Sequence, residues 1–390
     1  MKLKSIKQIK NFRGKKVLLR VDFNVPIKNG KVLNDFRIKS GLSTIKYLFK
    51  KGAKVIILNH LGRPKGKVVA ALSNKPVVQR LSKLLKKPVK FANEVIGQRV
   101  QSAVNSLSAG EILMLENVRF HPREEKNCQR LAKEWSKLVD LYVNDAFAAC
   151  HRKSSSISAI TDYLPSFAGL LLESEVTNLN KVFESKVKPK VAIIGGAKLE
   201  TKVAVIKNLL KKMDYVLVGG AIANNFLKAS GLEVGKSLID DALLGAAKRL
   251  LNKRLLIPVD VVVARRISKK SKSAIKPVSH VKKSDIILDI GPKTVQEFSK
   301  INKQSKLIVW NGPLGYFEIS QYKKSSEQIA MSIIKSKAES IVGGGETVQM
   351  IENLGLRNQY SFVSTGGGAM LEFLTGKVLS GIKPLIVKRR

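Results

Sequence analysis

Cysteine is scarce in this sequence, with only Cys128 and Cys150 among 390 residues and no Cys-x-x-Cys spacing. This usage argues against a disulfide framework or a zinc site, and it is typical of a reducing compartment such as the cytoplasm. The four histidines form no His-Glu-x-x-His motif or comparable metal cluster. We therefore expect a cytoplasmic protein without a zinc site.

Long hydrophobic runs are also missing. No apolar run approaches the ~18 residues that a membrane-spanning helix needs. The basic N-terminus, MKLKSIKQIKNFRG, lacks the apolar stretch of a secretory signal. The hydrophobic content of 44% is ample for buried cores, and 390 residues suggest about two domains. The sequence predicts a protein of about two domains with no membrane partner.

Acidic residues are few: 29 Asp and Glu stand against 71 Lys and Arg, which gives a net charge of +42. A basic surface of this kind can bind the phosphate backbone of nucleic acid. Only 17 of the basic residues are arginines, however, the lysines are scattered in pairs, and aromatic residues make up just 6%. We favour a solvated lysine-rich surface with no specific nucleic-acid partner, and a basic RNA-binding protein stays open as the alternative.

Short apolar runs of strand length recur along the chain, most of them ending in Gly, Asn, Asp or His. They cover residues 17–22, 55–60, 112–115 and 141–145 in the first half, and 191–195, 215–219, 256–260, 307–311, 341–343 and 362–366 in the second. Helical segments such as 197–212 and 324–335 lie between them. This alternation predicts an α/β fold of parallel sheets covered by helices, with ligands beyond the carboxyl ends of the strands.

The strand pattern pauses between Glu173 and Lys188. We interpret this stretch as a linking helix and hinge. The predicted organisation is an amino-terminal lobe at 1–175, a linking helix at 176–188 and a carboxyl-terminal lobe at 189–378.

Glycine turns follow several of the predicted strands. The fullest is ESIVGGGET at residues 339–347, where Gly343, Gly344 and Gly345 precede Glu346 and Thr347 at a predicted helix start. Glycines allow backbone N–H groups to approach a phosphate, and a carboxylate beside them can hold Mg²⁺. A tight turn of any α/β protein is the alternative for this stretch taken alone. Similar turns recur at Gly195-Gly196, Gly219-Gly220, Gly312 and Gly366-Gly367-Gly368, which favours phosphate binding.

Arginine accompanies small polar residues at strand ends in the first half. The motifs are RVDFNVP at 20–26, DFRI at 35–38, NHLGRP at 59–64, LENVRFH at 115–121 and YVNDAF at 142–147, followed by His151 and Arg152. Each arginine alone could form a surface ion pair. In a chain where lysine outnumbers arginine about three to one, this repeated choice favours bidentate binding of phosphate or carboxylate.

The second half carries features of a nucleotide site. Lys198 and Lys202 follow Gly195-Gly196 with a spacing that predicts one helix face, although both could be solvated lysines. The loop WNGPLGYFE at 310–318 could be an ordinary turn or a nucleoside pocket with Glu318 on a ribose hydroxyl. GLEVGKS at 231–237 resembles a Walker A loop, but it has three residues between its glycines and follows a helical segment, so we reject it.

Taken together, RVDFNVP, HLGRPKG, ENVRFH, YVNDAF, GGAK, WNGPLGYFE and STGGGAMLEFLTGK closely resemble, in order, the motifs of the phosphoglycerate kinase family. The resemblance spans nearly the whole chain. It implies two Rossmann-like lobes joined by a hinge, and a glycolytic kinase that transfers a phosphoryl group reversibly, in line and with Mg²⁺, from 1,3-bisphosphoglycerate to ADP after hinge closure. It also implies a monomer in which residues 379–390 pack back on the first lobe.

The resemblance also implies roles for individual residues. The 3-phosphoglycerate site would comprise Asp22, Phe23, Asn24, Arg37, His60, Leu61, Gly62, Arg63, Arg119 and Arg152. The nucleotide site would comprise Lys198, Lys202, Gly219, Gly220, Gly312, Pro313, Glu318, Gly343, Gly344, Gly345, Glu346 and Thr347. Thr365, Gly366, Gly367 and Gly368 would line the phosphate path, Arg37 and Lys198 would stabilise the phosphoryl group in transfer, and Glu346 would hold Mg²⁺.

Three positions depart from the family pattern. Glu346 stands where the family generally has a Mg²⁺-binding aspartate, and Asn59 replaces a common serine. The chain reads Lys153-Ser154-Ser155-Ser156 where the family usually has a second histidine. Two alternatives remain. One is a different nucleotide enzyme, such as a dehydrogenase or another kinase, although no Gly-x-Gly-x-x-Gly motif occurs, and the other is the basic RNA-binding protein.

Overall fold

A computed structural model describes residues 1–387, and the chain divides into two compact units. The first comprises Met1–Thr177 together with the C-terminal residues from Val378, and the second comprises Asn178–Lys377. Each unit contains its own six-stranded sheet in which all strand pairs are parallel. The predicted α/β fold is therefore confirmed.

The first unit alternates strands and helices. Its strands are β1 (Lys16–Arg20), β2 (Ile27–Lys28), β3 (Lys31–Val32), β4 (Lys54–Leu58), β5 (Lys90–Ala92), β6 (Ile112–Leu115), β7 (Leu141–Asn144) and β8 (Ser166–Ala168). Its helices are α1 (Phe36–Lys50), α2 (Lys75–Leu85), α3 (Gln98–Asn105), α4 (Gln129–Ser136) and α5 (Leu170–Glu184), the last of which continues into the second unit. The sheet order is β5-β6-β4-β1-β7-β8.

Both faces of this sheet are covered, which explains why its central strands are apolar at successive positions. On β1, Val17 and Leu19 belong to one buried cluster, while Leu18 belongs to the cluster on the opposite face. The polar residues that follow these strands therefore collect at the carboxyl edge of the sheet.

The second unit repeats the arrangement and adds a small antiparallel sheet. Its strands are β9 (Lys190–Ile194), β10 (Tyr215–Val218), β11 (Leu255–Leu256), β12 (Asp260–Ala264), β13 (Ser273–Pro277), β14 (Ile286–Ile290), β15 (Leu307–Asn311), β16 (Glu339–Gly343) and β17 (Phe362–Val363). Its helices are α6 (Val203–Lys212), α7 (Ala221–Ala229), α8 (Leu244–Leu250), α9 (Pro292–Gln304), α10 (Lys324–Lys335), α11 (Gly345–Asn353) and α12 (Gly368–Leu374). The parallel order is β11-β10-β9-β15-β16-β17, and β13-β12-β14 form the antiparallel sheet.

Three predicted elements are wrong in their bounds. The strand at 256–260 does not form, because β11 ends at Leu256 and β12 begins at Asp260, with Pro258 between them removing a backbone donor. The linking helix begins at Leu170 instead of residue 176 and ends at Glu184. Of the predicted helix at 197–212, only the part from Val203 is α-helical.

The C-terminal residues lie within the first unit. The Lys4 N–H donates to the Leu385 carbonyl at 2.7 Å, the Val387 N–H donates to the Lys2 carbonyl at 3.0 Å, and the Gly381 N–H donates to the Cys150 carbonyl at 2.9 Å. Of the predicted packing segment, residues 388–390 lie outside the described part of the chain. Across residues 1–387, no helix has the length and apolar character needed to cross a membrane.

A remote carboxylate caps the start of α5. Asp145, at the end of β7, accepts the N–H groups of Leu171 at 2.9 Å and Leu172 at 3.1 Å through Oδ1. Asp145 is 1% exposed, and this burial raises its pKa from 3.8 to about 6. The early start of α5 follows from this cap, which no local pattern at residue 170 announces.

We expect the stability contributed by protonated Asp145 to be present below about pH 4 and to be lost as the pH rises to about 6. An asparagine stays neutral, so raising the pH should favour Asp145→Asn over wild type by on the order of 2–3 kcal/mol. Urea unfolding at about pH 4.5 and about pH 7.5 measures this difference. A difference in unfolding free energy that is independent of pH would contradict the assignment.

Candidate active site

We call four arginines of the first unit, Arg20, Arg37, Arg119 and Arg152, the arginine cluster, and Arg63 is exposed directly after Gly62. Gly62 joins the strand-end loops, because its N–H donates to Asn24 Oδ1 at 2.9 Å and its carbonyl accepts from an Arg119 guanidinium N–H at 2.7 Å. Burial lowers the pKa of Arg119, and the charges of Arg20 and Arg152 lower it further, so these guanidinium groups lie in one region.

Two anions that face this cluster are Glu125, whose Oε1 lies 3.2 Å from Arg119 Nε, and Asp22. An Arg37 guanidinium N–H donates to Asp22 Oδ2 at 2.5 Å. Burial alone raises the pKa of Asp22, but the nearby charges of Arg37 and Arg20 outweigh it and lower the pKa from 3.8 to about 2. Asp22 is therefore ionised at neutral pH. Arg63 and Arg152 are exposed, and Arg37 retains 28% of its side-chain exposure, so the cluster can receive a small anion.

The side chains of two residues of the predicted glycerate site lie in the core. The side chains of Phe23 and Leu61 are 1% and 2% exposed and belong to one apolar cluster. The Phe23 N–H donates to Asn59 Oδ1 at 2.8 Å, and Asn117 Nδ2 donates to the Leu61 carbonyl at 2.7 Å. Both residues hold the loops in place because their apolar side chains follow the strands into the core. Asn59, one of the family departures, thus has a structural role.

The second unit contains a cavity of about 320 Å³. Its apolar wall comes from α7, the antiparallel sheet and the loop after β15, and includes Leu227, Leu238, Val261, Ile267, Ile287, Pro313, Leu314 and Phe317. Gly196, Gly220, Glu318 and Glu346 also line it. A largely apolar cavity with a few carboxylates at loops suits a nucleoside.

The glycines around this cavity serve two different purposes. A Cβ on Gly195 would lie 2.1 Å from the Pro313 carbonyl oxygen, and a Cβ on Gly312 would lie 2.2 Å from the Gly195 carbonyl oxygen. These glycines allow backbone to pack against backbone. A Cβ on Gly219 would meet Leu314, one on Gly220 would meet the Gly196 backbone, and one on Gly343 would meet Met370.

A second set of glycines faces open space. A Cβ added to Gly196, Gly345, Gly367 or Gly368 has no heavy atom of the protein within 4 Å. Gly196 and Gly367 have φ values of +103° and +48°, so the backbone conformation by itself accounts for glycine at these two positions. Neither packing nor conformation requires glycine at Gly345 and Gly368, and these two positions leave room for a ligand to approach the backbone. Gly345 and Gly368 are the first residues of α11 and α12, where helix N–H groups favour phosphate.

The predicted common helix face of Lys198 and Lys202 is wrong, because α6 begins only at Val203. Lys198 lies exposed in the preceding turn. Lys202 is 7% exposed, and its Nζ donates to Asn311 Oδ1 at 2.5 Å. Burial lowers the pKa of Lys202 to about 8, although the charge of Glu346 opposes this shift.

Two carboxylates lie close together at the cavity. Glu346 is in the first turn of α11, as predicted, and its pKa is raised by burial and by the negative charge of Glu318. Thr347 is fully buried, and its Oγ1 accepts the Gly312 N–H at 2.9 Å. This hydrogen bond holds the turn after β15 in place. Among residues 1–387, no three or more His, Cys, Asp or Glu side chains group as a metal site. Mg²⁺ commonly uses one or two carboxylates together with substrate phosphates, which fits this donor set.

The sequence analysis did not identify three residues near the cavity. Lys236 lines it from the rejected Walker-like segment, which follows α7 as expected. Asn311 binds Lys202, and Asp289 accepts hydrogen bonds from Ser325. Burial raises the pKa of Asp289 to about 7. No motif spacing links Asp289 to Ser325, so only the fold brings them together.

The two classes of glycine can be separated by alanine substitution. We expect Gly195→Ala to destabilise the protein by about 3 kcal/mol or more, because the added Cβ meets a backbone carbonyl that cannot move alone. Gly345→Ala should be neutral or gain up to ~1 kcal/mol, since helices favour alanine over glycine. Denaturant unfolding measures both. Equal stability of the two variants would contradict the division.

The chain is similar to known proteins along nearly its whole length. A family model described as phosphoglycerate kinase matches residues 6–377. The phosphoglycerate kinase of Dictyoglomus turgidum is 44% identical over 382 residues, covering 96% of each chain. That of Coprothermobacter proteolyticus is 45% identical over 395 residues, covering 100% of each.

The chain is also similar to solved structures along nearly its whole length. Phosphoglycerate kinase from Coxiella burnetii has a TM-score of 0.88 at 41% identity, covering 98% of this chain and 99% of that one. Phosphoglycerate kinase from Pyrococcus horikoshii OT3 has a TM-score of 0.87 at 32% identity, covering 98% of each. None of these relatives supports the alternatives of a dehydrogenase or an RNA-binding protein. The motifs, the fold and the matches lead to one conclusion: the chain belongs to the phosphoglycerate kinase family.

Proposed function

We propose that this protein catalyses the reversible, Mg²⁺-dependent transfer of a phosphoryl group from 1,3-bisphosphoglycerate to ADP, giving 3-phosphoglycerate and ATP. The observation that carries the proposal is the division of binding chemistry between the units. The first has the arginine cluster, and the second has an apolar cavity lined also by Gly196, Gly220, Glu318 and Glu346, with Gly345 starting the helix α11 that carries Glu346. We further propose that it acts as a monomer in the cytoplasm.

The glycerate substrate binds in the first unit. Arg63, Arg119 and Arg152 hold its phosphate and carboxylate through bidentate contacts. Asp22, Asn24 and His60 orient its hydroxyl and carboxylate oxygens. Asp22 partly offsets the positive charge of the cluster, and its carboxylate can accept a hydrogen bond from the hydroxyl of the substrate.

The nucleotide binds in the second unit. Its base fills the apolar cavity, Glu318 takes the ribose hydroxyls, and the glycines that face open space admit the phosphates. Lys202 holds a phosphate, and an anion beside it would favour the charged form of this buried ammonium. Gly219, Gly220, Gly312, Gly343 and Thr347 act indirectly, by shaping the turns.

Phosphoryl transfer depends mainly on positioning and on cations around the moving charge. Arg37, in the first turn of α1, and Lys198, in the loop before α6, supply these cations, and both side chains are at least partly exposed. Closure about a hinge would exclude water, which would otherwise accept the phosphoryl group. Glu346 and the nucleotide phosphates would hold Mg²⁺, which neutralises phosphate charge when bound.

The direct test is a coupled assay of the purified protein with 1,3-bisphosphoglycerate, ADP and Mg²⁺. We expect ATP formation that requires all three components. Folded protein with no activity at any Mg²⁺ concentration would overturn the proposal.

Arg37→Ala and Lys198→Ala should each lower kcat by on the order of 100- to 1,000-fold, with much smaller effects on equilibrium binding of either substrate. Arg99→Ala is a matched control, because Arg99 also pairs with a carboxylate, Glu94, at 3.1 Å, and neither residue belongs to the proposed site. Lys207→Ala, on the exposed side of α6, is the control for Lys198. A variant that lost substrate affinity with an unchanged kcat would show that its proposed role is wrong.

Glu346 can serve the metal or only complement the dipole of α11, which is worth ~0.3–1 kcal/mol. For a metal role, Glu346→Asp should stay active with a shifted Mg²⁺ requirement. Glu346→Gln should fail at low Mg²⁺ and recover partly at high Mg²⁺, with little change in Tm. A Glu346→Gln enzyme with a wild-type Mg²⁺ profile and a lower Tm would exclude the metal role.

A further inference from the structure

A buried chain of hydrogen bonds lies behind the arginine cluster and centres on Arg20, which is 2% exposed. The guanidinium donates in three directions. Its Nε–H donates to Ser156 Oγ at 2.8 Å, one terminal N–H donates to the Val21 carbonyl, and the other contacts His60 Nδ1 at 3.1 Å. All three branches of this cation are therefore engaged within the protein.

The contact with His60 determines where the imidazole carries its proton. A guanidinium has only donors, and it stays protonated in proteins, so His60 Nδ1 must accept. An imidazolium would present an N–H at both ring nitrogens and is incompatible with this contact. Asp22 Oδ1 lies 3.9 Å from Nδ1, beyond hydrogen-bond distance, so it does not compete for a proton there.

We propose that Arg20 holds His60 as the neutral imidazole with its proton on Nε2, so that His60 gives the glycerate substrate a hydrogen bond from Nε2–H. Among residues 1–387, no group hydrogen-bonds Nε2, and this atom is not closed off from solvent. This step rests on the proposed glycerate site. His60 is the group that touches substrate, and Arg20 is a positioning residue.

Glu124 and Ser156 extend the positioning chain. Ser156 Oγ donates its single proton to Glu124 Oε1 at 2.6 Å, and the Ser156 N–H donates to Oε2 at 3.0 Å. With its proton committed, Ser156 Oγ offers only lone pairs to Arg20. Ser156 and Glu124 are 0% and 2% exposed, so the chain runs in one direction, from Arg20 through Ser156 to a buried carboxylate.

The environment of His60, like the contact with Arg20, favours the neutral imidazole. Burial lowers its pKa well below 6.5; the negative charge of Asp22 opposes this, and the positive charges of Arg20, Arg119 and Arg37 add to it. These groups come from the end of β1, from α1 and from the turn after β6. A neutral donor recognises the position of an oxygen without adding a further charge to the cluster.

The first test is the ¹⁵N spectrum of full-length protein labelled at its histidine rings, recorded from about pH 6 to about pH 8. His60 is assigned from the signals that His60→Gln removes. We expect a single N–H at Nε2, an unprotonated Nδ1 and no titration across this range. A proton on Nδ1, or an imidazolium at about pH 6, would overturn the proposal. This measurement needs no substrate and no active enzyme.

The second test compares two neighbouring buried serines. Ser156→Ala breaks the link between Arg20 and Glu124. Ser155→Ala is the control, because Ser155 is equally buried and its Oγ donates to the Arg123 carbonyl without contacting Arg20. We expect Ser156→Ala alone to move the His60 signals and to raise KM for 3-phosphoglycerate by about 2- to 10-fold, with kcat within about twofold.

Three outcomes of these tests would contradict either the positioning role of the chain or the proposed function. A Ser156→Ala enzyme with a lower Tm, an unchanged His60 spectrum and an unchanged KM would reduce the chain to a folding element and overturn its positioning role. Equal changes in Ser155→Ala and Ser156→Ala would do the same. The expected His60 spectrum in a protein without kinase activity would overturn the proposed function and leave the tautomer assignment standing.

Discussion

Backbone packing between the glycine turns of the second unit is the constraint on which the nucleotide site depends. The Gly196 N–H donates to the Pro313 carbonyl at 2.8 Å, and the Gly220 N–H donates to the Leu314 carbonyl at 2.8 Å. Such contacts leave no room for a Cβ at Gly195 or Gly312. The turns that end β9, β10 and β15 therefore stay fixed to one another, and the cavity beside them has a defined wall before any ligand arrives.

In the first unit, several guanidinium groups lie close together, and the repulsion between their charges must be compensated for the unit to stay stable. Asp22 and Glu124 are buried carboxylates, and each faces Arg20 from a different side. Removing either one would leave the buried Arg20 with less compensating negative charge, which is costly in a low-dielectric interior. Under the proposed function, binding of a doubly anionic substrate would complete the charge balance that these two carboxylates leave partial.

The sequence was sufficient to predict elements whose burial leaves a continuous pattern. β6, β15 and α10 have the predicted bounds because their residues are apolar at strand or helix spacing between clear end signals. β5 and β8 are only three residues long, and β13 is almost wholly exposed, so none of them carries such a pattern. Exposure explains why β13 was missed, whereas β12 and β14 are largely buried five-residue strands that the sequence analysis did not identify.

The sequence was likewise sufficient to predict only part of the candidate site. Motifs indicated the polar residues at strand ends, since parallel strands bring their carboxyl ends to one edge. They did not separate Gly195 from Gly196, because the difference is the distance to Pro313, a residue far along the chain. Nor did they find the link between Arg20, Ser156 and Glu124, whose partners share no local spacing. Long-range contacts decide which of two neighbouring residues faces a ligand.

The central claim is that each unit binds one substrate. Amide NMR of the full-length protein, titrated separately with 3-phosphoglycerate and with Mg²⁺–ADP, tests it most directly. The account predicts that 3-phosphoglycerate shifts the amides of Asn24 and Gly62, while Mg²⁺–ADP shifts those of Gly196, Leu314 and Gly345. Shifts from Mg²⁺–ADP confined to the first unit, or shifts from 3-phosphoglycerate confined to the cavity of the second, would contradict it.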